Sequence, residues 1–192
     1  MKYRALAPMM LAMFIFGCGP HVATSLNVEE TIPRGARIAV LPFENLSGHE
    51  NASEKITDYL VLSLQSFGDL SVVEFGQTYE QMRRYRVRSS AFLTDGQIDS
   101  LSTGLGAAYL VTGSVLEFTE TDNQYLGKIP QVSLNVRIIK CATKKTVWSS
   151  AINARGDQGE LVFGIGAVRS KEELARQVVT KAAGRIGDLV RE

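Results

Sequence analysis

Two cysteines and two histidines are the side chains with the most reactive chemistry in this sequence, and their spacing decides what they could do. Cys18 and His21 stand near the N-terminus, whereas His49 and Cys141 lie far apart along the chain. These positions do not have the spacing of a zinc site, which brings together about four nitrogen or sulfur ligands. We therefore expect no metal and no other cofactor.

Patterns typical of catalysis are equally missing from the sequence. It has no Gly-x-Ser-x-Gly turn around a nucleophilic serine and no glycine loop for phosphate. Glu44, Glu74 and Asp95 could act as paired carboxylates, but nothing in their spacing requires it, and solvated acids are the simpler interpretation. The sequence predicts a protein that is not an enzyme.

A local cluster of positive charge consists of Arg83, Arg84, Arg86 and Arg88, with Tyr85 among them. One interpretation is a docking patch for an acidic protein partner or for anionic lipid or glycan groups. The other is a solvated helix end, whose cations complement the helix dipole. The whole chain has 21 basic and 20 acidic residues, and this balance argues against nucleic acid as the main partner.

The pattern of charged and apolar residues in the segment 1–17 predicts a signal peptide. Lys2 and Arg4 give it a positive start, and residues 5–17 then carry no charge. This apolar segment is shorter than the about 20 residues of a membrane-spanning helix, but it has the length of the apolar part of a secretory signal. An uncleaved N-terminal anchor with an incidental cysteine is the alternative.

The end of this segment, Ile15–Cys18, resembles the lipobox of bacterial lipoproteins. In that family the signal is cut before the cysteine, the thiol receives a diacylglyceryl group, and the new amine is acylated with a fatty acid such as palmitate. The resemblance implies that Cys18 is lipidated. Gly19 follows it instead of aspartate, which in that family implies the periplasmic face of the outer membrane. Each buried methylene group contributes about 0.8 kcal/mol, so several acyl chains form a stable anchor.

Residues 18–36 predict the lipidated cysteine and a flexible tether, because they contain two prolines and lack apolar periodicity. Fully extended, such a tether spans about 60 Å. The folded domain is then expected to cover residues 37–192. With the first cysteine acylated, Cys141 has no partner for an intramolecular disulfide. We expect it to be a small buried side chain at a strand end, with a dimerising thiol as the alternative.

The folded part alternates between strand and helix patterns. Short apolar runs predict strands, and apolar residues three or four positions apart predict helices. The predicted strands cover residues 37–41, 70–74, 109–118, 131–141 and 146–152, and the predicted helices cover residues 52–67, 78–85, 95–102 and 171–190.

The fourth of these strands alternates apolar residues with Ser133, Asn135 and Arg137, so one of its faces is expected to contact water. The order of the elements predicts one α/β domain with a single mixed β-sheet of about five strands flanked by helices.

Four segments of this domain carry a resemblance to known proteins: Ile38–Gly48, Leu105–Ser114, Val132–Ile139 and Val147–Trp148. Together they resemble the periplasmic domain of CsgG-type curli-secretion lipoproteins, of LpoB lipoproteins that activate peptidoglycan synthases, and of the N-terminal part of TolB-like proteins. The turn Thr143–Lys145 departs from the Thr-Gly that this group often has there. The resemblance implies the mixed α/β fold and partners in the cell envelope.

The resemblance implies three functions, which the sequence ranks. An outer-membrane export ring needs hairpins whose strands each have about 9–11 membrane-facing residues. The first candidate segment, 121–130, is polar and too short, and the second, 153–169, has one apolar stretch, Leu161–Ile165, which is not a hairpin. Within that stretch, Leu161–Phe163 is either loop core or an oligomer contact. An LpoB-like activator of a penicillin-binding protein must reach through the peptidoglycan, and a tether of about 60 Å is marginal for that. The leading prediction is therefore a lipid-anchored periplasmic module that binds and positions envelope proteins, as a monomer or a homo-oligomer.

Overall fold

The computed structural model describes residues 22–23, 31–125, 127–158 and 167–191. Within these residues the helices are α1 (Ala52–Ser66), α2 (Phe75–Arg84), α3 (Asp95–Leu105) and α4 (Lys171–Gly187). The strands are β1 (Val22–Ala23), β2 (Ile32–Pro33), β3 (Arg37–Val40), β4 (Glu44–Asn45), β5 (Ser71–Val72), β6 (Tyr109–Asn123), β7 (Gly127–Lys140), β8 (Lys145–Arg155) and β9 (Val190–Arg191).

Seven strands of the described residues form one mixed sheet, in the order β1-β8-β7-β6-β3-β5, with β4 paired to β6. β6, β7 and β8 form an antiparallel meander, whereas β3 runs parallel to both β6 and β5. The prediction of a single mixed sheet in an α/β domain is confirmed. The sheet has more strands than predicted because β1 and β4, each two residues long, are too short to give a sequence pattern.

One face of the sheet is covered by α1 and α4, which pack against each other and against the long strands. The larger apolar core lies beneath them, and Leu60, Leu134 and Val178 are each 1% exposed there. α1 follows the predicted periodicity, with Ile56, Leu60 and Leu64 on its buried face. We call this side of the sheet the covered face.

The opposite side of the sheet is only partly covered. α2 packs on β3 and on α3, and a smaller core that includes Leu101 and Leu110 lies under them. Cys141 joins this core at 6% exposure, as expected for a buried side chain at a strand end, and burial raises the pKa of its thiol. Among the described residues, β7 joins this core near its end, through Ile139, and α2 and α3 make few contacts with the rest of β7 or with β8. We call the uncovered part of β6, β7 and β8 the open face.

The N-terminal segment joins the folded domain earlier than residue 37. Ile32 is fully buried, β2 pairs in parallel with β9, and β1 pairs antiparallel with β8. Residues 18–36, predicted as a tether, therefore contain two paired strands. Cys18 and Leu161–Ile165 lie outside the described residues. No helix within the described ranges is long and apolar enough to cross a bilayer.

Gly113 explains how β6 and β7 approach each other beneath the aromatic ring of Phe43. A Cβ atom at Gly113 would lie 2.2 Å from the backbone oxygen of Asn135 and 2.5 Å from the Phe43 ring. Any side chain would therefore collide with a strand backbone, as the position of this glycine inside a strand predicts.

The β6–β7 hairpin extends well past the end of β8. The last pair between β7 and β8 is Gln131 with Arg155, whereas pairing between β6 and β7 continues to Asn123 with Gly127. The end of the hairpin therefore projects from the body of the sheet.

Candidate protein-binding surface

The open face carries a groove of about 510 Å³. Its floor includes Ser114 of β6, Asn135 and Arg137 of β7, and Ser149 of β8. These side chains share a face because alternate residues of a strand point to the same side of the sheet. The prediction that one face of β7 contacts water is confirmed at Asn135, which is exposed.

Ser133, predicted for the same wet face, is only 4% exposed. Its hydroxyl donates a hydrogen bond to the amide oxygen of Asn153 on β8. A cross-strand polar pair of this kind satisfies the hydroxyl without water.

The loop between α2 and α3 is fixed across one end of the groove by three hydrogen bonds to the sheet and its edge. Ser90 Oγ donates to the carbonyl oxygen of Pro42, and Thr112 Oγ1 donates to the carbonyl oxygen of Ser90. Arg137 Nη2 donates to the carbonyl oxygen of Ala91. Both loop carbonyls and a buried hydroxyl are thereby satisfied, so the loop holds a defined position over the sheet.

Two large apolar side chains border the groove and remain exposed. Phe92, on the α2–α3 loop, is 83% exposed, and Leu46, just after β4, is 58% exposed. The backbone N–H of Leu46 donates to the carbonyl oxygen of Val115, which holds Leu46 beside β6. Exposed apolar groups next to a polar floor are typical of a surface that another molecule covers.

The structure divides the four arginines into two pairs. Arg83 and Arg84 occupy the last turn of α2, where a positive charge complements the helix dipole. Arg86 and Arg88 lie beyond the helix, and Arg86 has a left-handed backbone with φ of 55°, so the dipole interpretation does not account for them. All four side chains are exposed. None of them forms an ion pair with a carboxylate of the described residues.

Arg88 connects this cluster to the groove. It precedes Ser89, whose hydroxyl donates to Glu44 Oε1 at 3.4 Å, and Glu44 is part of the groove wall. Arg88 therefore lies one residue along the chain from a contact with the groove wall. We group the groove, its apolar border and the last two arginines under one name, the open-face surface, defined by Arg86, Arg88, Leu46, Phe92, Asn135 and Arg137.

His49 and Cys141, considered above as possible metal ligands, do not line the groove. No group of three His, Cys, Asp or Glu side chains among the described residues could hold a metal ion. His49 Nδ1 donates to the carbonyl oxygen of Glu50 at 2.7 Å, and Lys171 Nζ donates to His49 Nε2 at 3.0 Å. The imidazole also packs on the ring of Phe118, with centroids 5.2 Å apart. His49 thus connects the segment before α1 to the start of α4.

The carboxylates considered for acid–base chemistry belong to three separate elements. Glu44 lies on β4, Glu74 precedes the first residue of α2, and Asp95 begins α3. Only Glu44 is part of the groove wall.

Sequence reasoning missed the border of the groove. Leu46 and Phe92 lie in irregular segments, where a single apolar residue belongs to no period-two or period-3.6 pattern. The polar floor was detectable, because the alternation along β7 is visible in the sequence.

Known proteins resemble this chain in structure and not in sequence. No family model matches it, and no curated protein matches its sequence. PelC from Paraburkholderia phytofirmans, solved as a dodecamer, aligns with a TM-score of 0.59 at 15% identity, over 91% of this chain and 100% of that chain. Lipoprotein GNA1162 from Neisseria meningitidis aligns with a TM-score of 0.54 at 18% identity, over 80% of this chain and 99% of that one.

The C-terminal domain of LpoB from Escherichia coli aligns with a TM-score of 0.47 at 16% identity, over 64% of this chain and 84% of that chain. The expected relation to CsgG-type proteins stays a prediction. At these identities the similarity establishes a fold shared with PelC and GNA1162.

Proposed function

We propose that this protein is a lipid-anchored, non-enzymatic module of the bacterial outer membrane that binds another envelope protein through its open-face surface. The observation that carries the proposal is the open-face surface itself. It combines a groove of about 510 Å³, an exposed phenylalanine and arginines without a carboxylate partner in the described part of the chain.

The chemistry of this surface defines the kind of partner it fits. Phe92 stands 83% exposed on a loop that three hydrogen bonds hold in place. Because the backbone of this loop is already ordered, less conformational freedom is lost when a partner buries Phe92, and aromatic residues and arginines dominate binding energy at interfaces. Arg86 and Arg88 favour carboxylates near that contact. The expected partner presents an apolar pocket bordered by acidic side chains.

The anchor is the second part of the proposal. Residues 1–17 would be removed and Cys18 acylated, which places the domain on the periplasmic face of the outer membrane. The apolar segment before Cys18 supports this, and the similar fold of GNA1162 belongs to a lipoprotein. Intact mass of membrane-extracted protein tests it: the mass should match a chain that begins at acylated Cys18. Cys18→Ser should leave the membrane fraction, and retention of residues 1–17 without fatty acid would contradict the anchor.

Site-specific photo-crosslinking in cells tests the binding surface. A photoreactive amino acid replaces Phe92 in the full-length lipoprotein, and the matched control replaces Leu62, which is 64% exposed on α1. We expect an adduct with another envelope protein from position 92 and none from position 62. An adduct with a penicillin-binding protein would identify the LpoB-like alternative. Equal adducts from both positions, or none from position 92, would contradict the proposal.

A second candidate function is that of a subunit in a homo-oligomeric ring. The observation that favours it is that PelC, solved as a dodecamer, is aligned with this chain over its whole length. In that case position 92 should crosslink to a second copy of this chain, and native mass of the detergent-extracted protein should show a large closed assembly. A monomer by native mass would exclude it.

A further inference from the structure

We infer that the projecting end of the β6–β7 hairpin, with Tyr125 at its turn, lies in the headgroup region of the membrane that holds Cys18. The inference rests on the lipid anchor proposed above. It adds an orientation of the domain and a lipid-contacting surface, neither of which follows from the anchor itself.

The pairing of β1 shows where the chain enters the domain. Val22 pairs with Ile152 and Ala23 with Ala151 in an antiparallel arrangement. Val22, the first described residue, is therefore on the side of β1 nearer the C-terminal end of β8. The four residues from Cys18 to Val22 can extend at most about 14 Å, so Cys18 cannot lie farther than this from the edge of the sheet.

The register of the meander shows how far the hairpin projects in the same direction. Ile152 pairs with Leu134, and β7 continues from Leu134 through seven more residues to Gly127. At about 3.3 Å per residue, the hairpin end lies about 23 Å beyond the level of Ile152. It therefore extends about 10 Å past the farthest level that Cys18 can reach.

A bilayer of about 40–45 Å encloses a hydrocarbon core of about 30 Å, so each headgroup layer is about 5–8 Å thick. A projection of about 10 Å is therefore long enough to bring the hairpin end into that layer. Acyl chains on Cys18 lie in the hydrocarbon core and hold the backbone at that residue near the headgroups. With the long strands upright on the membrane, the hairpin end is the first of the described parts of the domain to enter this layer.

The side chains at the hairpin end suit this layer. Tyr125 is 89% exposed, and its backbone N–H donates to Asn123 Oδ1 at 2.9 Å, which fixes the turn. An aromatic ring with a polar hydroxyl is enriched where hydrocarbon meets water. Burial in this layer gives the exposed ring an apolar contact without removing its hydroxyl from polar groups.

The charges at this end are balanced. Lys128 pairs with Glu120 at 3.7 Å, Asp122 is exposed nearby on β6, and the guanidinium of Arg169 lies close to Gly127. Two basic and two acidic groups give no net attraction to anionic lipid. The contact therefore depends on the anchor and the aromatic ring, and it should form on zwitterionic lipid.

The same orientation leaves the open-face surface away from the membrane. Arg137, which holds the loop of Phe92, is ten residues from Gly127 along β7, a distance of about 33 Å. A protein partner could then reach the open-face surface from the periplasm while the hairpin end contacts lipid.

Quenching by brominated lipid tests the inference. The acylated full-length variants Tyr125→Trp and Phe92→Trp are each reconstituted into phosphatidylcholine vesicles with or without bromine on the acyl chains. The two positions are matched in exposure, at 89% and 83%, and the native Trp148, at 4% exposure, gives both variants the same background. We expect brominated lipid to remove most of the added emission of Tyr125→Trp and none of that of Phe92→Trp.

Three results would overturn the inference in different ways. If both variants float with the vesicles but Tyr125→Trp is not quenched, the hairpin does not contact lipid, while the anchor of the proposed function stands. If the extracted protein carries no acyl group and fails to float, the anchor is wrong and the inference fails with it. Equal quenching at both positions would also overturn it, since the domain would then lie on its open face.

Discussion

The covered and open faces of the sheet are separated by one strand thickness, yet they are stabilised in different ways. Leu134 points to the covered face, where it is 1% exposed in the main core, whereas its neighbour Asn135 is exposed on the open face. The apolar side chains under α1 and α4 are explained by their packing in the main core, which stabilises the fold. This packing does not account for Phe92, Arg86 or Arg88, whose exposed side chains contribute little to folding. The difference indicates that the open face is free to serve another purpose.

Of the substitutions considered, Gly113→Ala should reduce the stability of the domain most. The new Cβ would lie 2.2 Å from the backbone oxygen of Asn135, and neither strand can move without disturbing the sheet. We expect a loss of about 4 kcal/mol or more in the free energy of unfolding, measured by urea denaturation. Gly96→Ala is the control, since a Cβ there meets nothing within 4 Å. Equal stability of the two variants would show that β6 and β7 are not this close.

Leu134→Ala and Asn135→Ala compare the two faces on one strand. The first removes buried methyl groups from the core and should reduce the free energy of unfolding by about 3 kcal/mol. The second removes an exposed amide and should change it by about 0.5 kcal/mol or less. Similar losses in chemical denaturation would mean that the open face is also structural.

Arg137→Ala tests the attachment of the α2–α3 loop. Its guanidinium donates to the carbonyl oxygen of Ala91, and loss of such a charged hydrogen bond should cost about 1–2 kcal/mol of stability. Amide hydrogen exchange should become faster in the loop and stay unchanged in α1 and α4. Uniformly faster exchange would instead indicate a general loss of folding stability.

The pair Arg86→Glu and Arg88→Glu separates binding from folding. Both side chains are exposed, so the double variant should change the free energy of unfolding by about 0.5 kcal/mol or less. The crosslink from position 92 should be lost, because the new charges repel an acidic partner. Arg83→Glu with Arg84→Glu is the matched control, and loss of the crosslink only in that control would place the docking site on the helix instead.

Glu172 lies in the first turn of α4, on the covered side of the sheet. Glu172→Gln should have the smallest effect on the free energy of unfolding. Burial would raise the pKa of Glu172, but its own backbone N–H, Lys55 and Ser170 outweigh burial and lower the pKa below its ordinary 4.5. A lowered pKa in the folded state gives stability that is present above pH 4.5 and is lost as pH falls through the folded value.

Urea denaturation at several pH values tests this. Glu172→Gln should be slightly less stable than the natural protein at pH 7, and the difference should vanish in acid. Glu173→Gln, whose carboxylate forms no ion pair in the described ranges, is the control. A difference that persists in acid would mean that the ion pair with Lys55 is not its source.

The sequence predicts the parts of this fold that repeat a pattern over several residues. α1 and the central parts of β6, β7 and β8 carry such patterns and lie at the expected positions. The predicted bounds were wrong at the hairpin end, where β6 continues five residues past 118 and β7 begins four residues before 131, because the polar residues there form no apolar pattern. β1 and β4 are set by pairing with strands distant in sequence, and two residues give no period to detect. Of the candidate site, the arginines and the polar floor were predictable from local composition. Phe92 was not, because its position depends on Thr112 and Arg137, far along the chain.

The brevity of β1 has a mechanical consequence. Only two of its residues pair with β8, whereas β2, the next paired segment, is tied to β9 and to the buried Ile32. If Cys18 carries the proposed lipid anchor, a pull on that residue would separate β1 from β8 first. The greatest distance from Cys18 to the nearest paired strand would then grow from about 14 Å, measured to Val22, to about 50 Å, measured to Ile32. Under that proposal, the two-residue pairing of β1 limits how far the domain stands from the membrane.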